Sequence, residues 1–163
     1  MVSKAIPVSR AIPVVGAQRG SASTPADARE WTNVLAEVPL FAGLSVRQRR
    51  KLAAVARIRR FADGAPFIRA GEPGEGLFVL LDGEVSVRAP GRAPLTLGIG
   101  SVIGELALLD GGARTANVVA KGPVVTLTIT GKQFRKLLHS EPSIAVALAE
   151  ELARRLRTAH ATA

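Results

Sequence analysis

Apolar positions recur at helical spacing in the first part of this chain. One helix is predicted to begin at Thr24-Pro25, because a threonine N-cap followed by proline is typical of a helix start. A second is predicted over residues 46–56, where Ser45 and Gln48 form a capping-box pattern. The apolar face of the first helix comprises Trp31, Val34 and Leu35.

From residue 57 onwards the spacing changes to alternation, which is typical of strands. LFVLL and EVSVR flank Asp82-Gly83, a pair that predicts a tight hairpin between two strands. LTLG, TANVVA and VVTLTIT are predicted as further short strands, and glycines separate many of these segments. Many short strands at this spacing indicate a jelly roll or a similar β-roll.

Helical spacing returns after residue 130. Thr130 and Gln133 form another capping-box pattern, and SIAVALAEELARRLR is predicted as a longer helix. Its apolar edge is predicted to consist of Ile144, Leu148, Leu152 and Leu156. The sequence therefore predicts an α+β fold, mainly β, in which a β-roll lies between N-terminal helices and two C-terminal helices.

The chain divides into four predicted regions. Residues 1–24 form a disordered basic tail rich in Ala, Ser and Pro, and residues 25–56 form the N-terminal helices. Residues 57–130 form the β-roll, and residues 131–160 form the C-terminal helices.

Composition excludes several classes of site. The 163 residues contain no Cys and two His, so disulfides, thiolate metal sites and histidine-built metal sites are not expected. The net charge is 22 − 13 = +9, which favours anionic partners. No apolar run approaches the ~18 residues of a membrane span, and the N-terminal residues make a poor secretory signal. A cytoplasmic protein without a membrane span is therefore expected.

The segment GELALLDGGARTA, residues 104–116, interrupts the strands with one helical turn and a glycine pair. Gly104 allows a ligand to approach the backbone, and a helix start presents N–H groups that suit phosphate. The guanidinium of Arg114 can bind two phosphate oxygens, while Glu105 is an acceptor that suits a sugar hydroxyl. We therefore expect a ligand that carries both a phosphate and a hydroxyl. A purely structural ion pair between the two side chains is the alternative.

This segment resembles the phosphate-binding cassette of cyclic nucleotide-binding domains, as in protein kinase A regulatory subunits, cyclic nucleotide-gated channels and bacterial catabolite activators. The resemblance extends over about residues 33–158 and includes PLFAGLS and GEPGEGLFVLLDGEVSV. Two departures are Ile103, where an aromatic residue is common, and Ala113, where proline is frequent.

The resemblance implies a role for each matched position. Glu105 would bind the ribose 2′-hydroxyl, and Arg114 would bind the cyclic phosphate. Gly104 and the backbone at Leu106, Ala107, Thr115 and Ala116 would complete the site. The implied ligand is cyclic AMP, with cyclic GMP as the alternative, and no other cofactor is expected. Thr115 is either simply a strand residue or a ligand contact whose hydroxyl meets phosphate or a guanine amino group.

The resemblance also implies a response to the ligand. The final helix would close over the pocket as a lid, with Arg155 stacked on the purine as a cation–π contact. An ordinary helical ion pair between Arg155 and Glu151 is the alternative. The expected function is that of a stand-alone sensor with an unknown downstream protein partner.

The basic residues before the roll, and the roll itself, are also compatible with functions other than ligand sensing. Residues 47–60 contain seven Lys or Arg and no acidic residue, so a basic anchor for membrane or nucleic acid is one alternative, and a solvated helix face is another. No helix-turn-helix fits after the roll, so no DNA-binding domain is expected. A ligand-free protein-interaction roll is a further alternative. An enzyme is not expected, because the roll contains no His and no catalytic triad can be assembled.

Overall fold

The computed structural model describes residues 25–74, 76–105 and 107–161, and the predicted tail of residues 1–24 lies outside them. In chain order the elements are α1 (Pro25–Ala36), a 3-10 turn (Pro39–Phe41), α2 (Val46–Val55), β1 (Arg57–Phe61), β2 (Pro66–Ile68), β3 (Gly76–Arg88), β4 (Leu95–Leu97), β5 (Val102–Ile103), α3 (Ala107–Asp110), β6 (Asn117–Thr130), α4 (Gly131–Ser140) and α5 (Pro142–Ala161). They form two compact units: a β-roll unit, residues 56–131, and a helical unit, residues 25–55 with 132–161. The predicted α+β class, mainly β, is confirmed.

The helical unit is built from amphipathic helices with a shared apolar interior. α1 packs against α2 and the 3-10 turn, and α5 packs against the same turn. The rings of Phe41 and Phe134 lie 6.3 Å apart between their centroids. The predicted capping box starts α2, since the Gln48 N–H donates to the Ser45 hydroxyl (3.2 Å) and the Ser45 N–H donates to the Gln48 side-chain oxygen (2.9 Å).

The β-roll unit is one antiparallel sheet built around two long strands. β3 and β6 pair along almost their whole length, and the strand order is β1-β6-β3-β4. β2 pairs with β6, and β5 pairs with β3. Alternate side chains of these strands form an apolar core, which consists of Ile68, Phe78, Leu80, Val85, Val87, Leu97, Ile103, Val118, Ala120 and Val124.

The predicted hairpin at Asp82-Gly83 is wrong, because β3 runs through both residues without turning back. The pairing register with β6 shifts on either side of Asp82, so the pair forms an irregularity, or bulge, inside a continuous strand. Gly83 has φ +85°, and a Cβ there would meet the Pro123 carbonyl oxygen. The positive φ that makes Asp-Gly a hairpin signal serves here to bend a strand that remains paired with one long partner.

Two further sequence predictions are corrected by the structure. The segments TANVVA and VVTLTIT are not separate strands, since β6 continues from Asn117 to Thr130. Ile144 and Leu148 of the predicted apolar edge of α5 are buried, but Leu156 is 60% exposed. Residues four apart on a helix are offset by about 40°, so a row of four leucine-type positions drifts by roughly 120° and leaves the buried face.

Candidate functional site

β5 leads directly into the candidate segment. Ile103 lies in the roll core, and the chain then turns at Gly104, which has φ +83°. Glu105 follows, and its side chain is only 6% exposed. α3 begins at Ala107, and the Leu108 N–H donates to the Gly104 carbonyl (3.1 Å). A short strand, a left-handed glycine and one helical turn therefore place an acidic side chain inside the roll unit.

Arg114 is fixed through both its main chain and its side chain. Its N–H donates to the Glu72 carbonyl, and its carbonyl accepts from the Gly71 N–H, both at 2.8 Å. Its guanidinium Nη2 donates to the carbonyl of Gly76, the first residue of β3. The loop between β2 and β3 thus positions the arginine, and the bond to Gly76 orients its guanidinium plane.

Three glycines allow the segments around Arg114 to pack closely. A Cβ on Gly104 would collide with Arg114 Nη1 and with the Gly76 carbonyl oxygen. A Cβ on Gly74 would collide with the Cβ of Ala107, and one on Gly76 would meet the Ile129 carbonyl. Larger residues at these positions would displace the β2–β3 loop, α3 or the Arg114 guanidinium from its neighbours.

The glycine pair after α3 closes the segment. The Asp110 carboxylate accepts from the Gly112 N–H (2.8 Å), and the Gly111 N–H donates to the Ala107 carbonyl (3.0 Å). The Gly112 carbonyl in turn accepts from the Gly74 N–H (2.9 Å). The two glycines therefore return the chain from α3 to the loop that fixes Arg114.

The structure brings most of the predicted site residues together in the β-roll unit. Gly104 and Arg114 are in direct contact, Glu105 follows Gly104, and Ala107 packs against Gly74. Thr115 is exposed, Ala116 packs against the roll core, and Leu106 lies outside the described residues.

Arg155, the predicted lid residue, belongs to α5 in the helical unit. Its Nε donates to the Glu151 carboxylate (3.3 Å), which is the helical ion pair expected as the alternative. Glu151 also accepts two bonds from Arg154, and these are the main cause of its lowered pKa. The role of Arg155 as a lid stays a prediction.

Sequence reasoning missed the contribution of the β2–β3 loop to the site. The Gly76 carbonyl accepts from Arg114, and Gly74 makes room for α3. The available signal was the spacing GEPGEG, whose glycines follow a predicted strand and precede an apolar run. Such a spacing indicates close backbone approach, but only the fold shows what approaches.

The chemistry of the segment is that of a polar-ligand site. A buried carboxylate supplies an acceptor for a hydroxyl donor, and an oriented guanidinium supplies donors for an anionic oxygen. Among the described residues no group of three or more His, Cys, Asp or Glu is placed to hold a metal ion. In the same part of the chain, no helix has the length and apolarity needed to cross a membrane.

Comparison with known proteins gives consistent matches. Residues 58–141 match the family described as the cyclic nucleotide-binding domain. The chain is 38% identical over 117 residues to a cyclic nucleotide-gated potassium channel of Mesorhizobium japonicum, a match that covers 72% of this chain and 32% of the channel. The chain therefore spans about a third of that relative's length.

Two solved structures are similar to this fold. The N-terminal domain of a transcriptional regulator from Streptomyces coelicolor A3(2) has a TM-score of 0.71 and 35% identity, and the match covers 80% of this chain and 94% of that one. The regulatory domain of Toxoplasma gondii PKA, co-crystallised with cAMP, has a TM-score of 0.60 and 27% identity, with coverage of 79% and 51%.

Proposed function

Because the chain belongs to the cyclic nucleotide-binding domain family, we propose that its β-roll is a sensor that binds cyclic AMP at residues 104–116. Domains of this family are typically regulatory and not catalytic, and we extend that role to this chain. The observation that carries the proposal is the contact of an oriented guanidinium, Arg114, with the backbone beside a buried carboxylate, Glu105.

We assign the cyclic phosphate to Arg114. A cyclic phosphodiester carries one negative charge, and an arginine whose main chain and side chain are both fixed loses little freedom when it binds such an anion. We further propose that backbone N–H groups at Ala107, Thr115 and Ala116 share the phosphate oxygens with Arg114, because backbone N–H groups at a helix start suit phosphate.

We assign the ribose 2′-hydroxyl to Glu105. An ionised carboxylate accepts hydrogen bonds and repels phosphate, so the hydroxyl is the part of the ligand that it suits. Burial of this side chain, at 6% exposure, strengthens such a bond relative to one made in water. Cyclic AMP is the preferred candidate because a structural relative was co-crystallised with it.

The first test removes the guanidinium. Truncation of one partner of a buried charged pair costs about 2–5 kcal/mol, so Arg114→Ala should weaken cyclic AMP binding by roughly 30-fold to several thousand-fold. Arg60→Ala, an exposed arginine on β1, is the matched control and should bind as the wild type does. Calorimetric titration of the full chain measures both. Wild-type affinity in Arg114→Ala contradicts the assignment, and no binding by the wild type favours a ligand-free interaction roll.

The second test concerns the hydroxyl. If Glu105 accepts a bond from the ribose, 2′-deoxy cyclic AMP should bind the wild type about 10-fold or more less tightly than cyclic AMP, since a charged hydrogen bond is worth roughly 1.5–3 kcal/mol. In Glu105→Gln the difference between the two ligands should shrink. An unchanged difference in the variant would remove Glu105 from contact with the ribose.

We propose that Thr115 contributes to the selection of the base. Thr115 is exposed, and a hydroxyl can hydrogen-bond either to a phosphate oxygen or to a guanine amino group. We propose that cyclic AMP binds at least as tightly as cyclic GMP. Parallel titrations of both nucleotides test this, and a clear preference for cyclic GMP contradicts it.

The response is proposed to involve the C-terminal helices. If Arg155 exchanges its bond to Glu151 for the purine face, residues 143–158 should become more protected from hydrogen exchange when cyclic AMP binds. Protection limited to residues 104–116 would mean that binding occurs without this rearrangement.

A further inference from the structure

β1 lies at one edge of the sheet in the β-roll unit. It pairs with β6 on one side, and no other strand of the described residues pairs with its second side. Every second residue of an edge strand directs its N–H and C=O away from the sheet. β1 therefore offers backbone donors and acceptors to a further strand.

The side chains along this edge are strongly basic. Arg57, Arg59 and Arg60 are all exposed, and we call these three residues the basic edge. Neither residues 57–61 nor residues 124–128, which pair with them on β6, include an Asp or Glu. Arg59 and Arg60 form no ion pair with another residue that the structure describes. The basic edge therefore concentrates positive charge on strands that carry no acidic residue.

The pairing register sets the direction of each arginine. Residues that lie opposite each other on antiparallel strands share a face of the sheet, so Arg57 and Arg59 share a face with Thr128 and Thr126. Arg60 lies on the other face. The Cα atoms of Arg57 and Arg59, two residues apart, are separated by about 7 Å, and their like charges repel. Carboxylates placed beside them would relieve this repulsion.

Arg59 is oriented by an aromatic ring of its own strand. Its guanidinium carbon lies 5.2 Å from the centroid of the Phe61 ring. Phe61 in turn stacks on Phe67, with 4.4 Å between the ring centroids, and meets Phe78 edge-on at 6.3 Å. A guanidinium over a ring face keeps its N–H groups in its own plane, where a carboxylate can accept from them. Arg59 should therefore lose little freedom when it binds a carboxylate.

We propose that the basic edge binds an extended acidic segment of another protein, which adds to the sheet as a further strand beside β1. The backbone of the segment would pair with the outer side of β1. Carboxylates two residues apart on the segment would meet Arg57 and Arg59 on one face, and a carboxylate between them would meet Arg60 on the other. Main-chain hydrogen bonds would supply affinity, and charge would select the partner.

The charges argue against two other occupants of this edge. In an antiparallel pair of two β1 strands centred on Arg59, each Arg59 would face the other, and like charges directly opposite are destabilising. The N-terminal residues 1–24 contain Lys4, Arg10 and Arg19 and no Asp or Glu, so their charge has the wrong sign. A nucleic acid or an anionic lipid would neutralise the arginines, but neither supplies the alternating donors and acceptors of a peptide strand.

The first experiment measures the binding of an acidic peptide to the full chain. A fluorescein-labelled ten-residue peptide of alternating Glu and Thr is titrated with the protein, and its fluorescence anisotropy is followed. Exposed ion pairs are individually weak and are screened by salt, so binding should be weak and should fall as salt is added. A peptide of alternating Lys and Thr should not bind. No binding of the acidic peptide, or equal binding of both peptides, overturns the proposal.

A triple variant removes the charge of the basic edge. Loss of one exposed ion pair weakens binding by up to about 5-fold, so the combination of Arg57→Gln, Arg59→Gln and Arg60→Gln should weaken peptide binding about 10-fold or more. Circular dichroism checks that the variant is folded. Wild-type affinity in the folded variant overturns the proposal.

A charge-matched variant separates a local contact from the attraction of the whole chain. It combines Arg69→Gln, Arg88→Gln and Arg92→Gln, three exposed arginines elsewhere in the β-roll unit. Arg88 pairs with Asn117, at the opposite end of β6 from the residues that pair with β1. This variant should bind the peptide within about 2-fold of wild type, since it keeps all the proposed ion pairs. Equal weakening in the two triple variants overturns the proposal.

Hydrogen exchange of the wild type tests the geometry without a substitution. A strand added beside β1 should protect the backbone N–H groups of alternate residues of β1 when the acidic peptide is present. Residue-resolved exchange measured by NMR reports this protection. Unchanged exchange in β1 while the peptide is bound overturns the addition of a strand.

The remaining controls distinguish the class of ligand and the independence from nucleotide binding. A short DNA duplex and vesicles containing phosphatidylserine are titrated in the same way. If either binds more tightly than the acidic peptide and loses that binding in the triple variant of the basic edge, the proposal is overturned. Arg114→Ala, which removes the proposed contact with the cyclic phosphate, should bind the peptide as the wild type does. Failure of this proposal is therefore distinguishable from failure of the nucleotide site.

Discussion

Replacement of Gly83 by alanine tests the bend inside β3. The glycine has φ +85°, and an added Cβ would meet the Pro123 carbonyl oxygen and approach Val124 Cα and Cγ2 to 3.1 Å. The contacting groups belong mostly to the backbone of β6, so they cannot rotate away as the end of a long side chain can. The substitution therefore perturbs the bulge in β3, where its pairing with β6 changes register.

The cost has two parts. A left-handed conformation costs an L-residue roughly 1–2 kcal/mol. Forcing a Cβ against the partner strand adds an overpacking cost of about 1–3 kcal/mol. The free energy of unfolding should therefore fall by about 2–5 kcal/mol, which corresponds to roughly 4–20 °C in Tm for a chain of this size.

Two other glycines separate the two parts. Gly122 has φ +81° with nothing within 4 Å of an added Cβ, so Gly122→Ala should cost only the conformational part, about 1–2 kcal/mol. Gly98 has neither the positive φ nor a close neighbour, so Gly98→Ala should be neutral or raise stability by about 0.4–1 kcal/mol. Denaturant unfolding followed by circular dichroism ranks all three. If Gly83→Ala destabilises no more than Gly122→Ala, the proposed contact with β6 is refuted.

Two further predictions concern single polar groups. The Ser101 hydroxyl is fully buried and has no hydrogen-bond partner among the described residues. Ser101→Ala should therefore raise the free energy of unfolding by about 1 kcal/mol. If a denaturant titration shows a decrease of that size instead, the hydroxyl has a hydrogen-bond partner. The pKa of Glu151 lies below its ordinary value of 4.5, chiefly because Arg154 donates a hydrogen bond to it. The ionised carboxylate therefore stabilises the folded state above pH 4.5, and this contribution is lost as the pH falls through the lowered pKa. Glu151→Gln should therefore be less stable than wild type at pH 7 by about 0.2–1 kcal/mol. The unfolding curves of the two should converge once the pH falls below the lowered pKa, and a gap that persists in acid contradicts the ion pair as its source.

Local signals predicted the elements whose determinants are local. The capping box at Ser45 and Gln48 starts α2 as its spacing requires, because both hydrogen bonds form within four residues. The alternation around Val85 and Val87 predicted a strand with those side chains in the core, and both are buried there. The interruption at Gly104 and Glu105 was also predicted, because a glycine, an acidic residue and an apolar helical turn depart from the strand pattern on either side, and Gly104 there has φ +83°.

The hairpin failed because its signal has two meanings. Asp-Gly supplies a positive φ, and that angle suits either a chain reversal or a bulge. The choice depends on whether residues 76–81 and 84–88 pair with each other or with a common partner, and β6 is far away in sequence. A hairpin would have paired only the two short segments that flank Asp82-Gly83. β6, with 14 residues, pairs with both segments, so β3 contains a bulge at Asp82-Gly83 and does not reverse its direction.

The amino-acid sequence by itself determined the start of α2, the strand periodicity and the segment 104–116, in which one acidic and one basic residue lie nine positions apart. The tertiary structure alone decided what Arg114 bonds to, which glycines lie against it, and that Leu156 faces outward. The physical reason is the range of the interactions. Caps and periodicity act over a few neighbouring residues, whereas the Gly76 carbonyl and Arg114 lie 38 residues apart and are brought together by the tertiary fold.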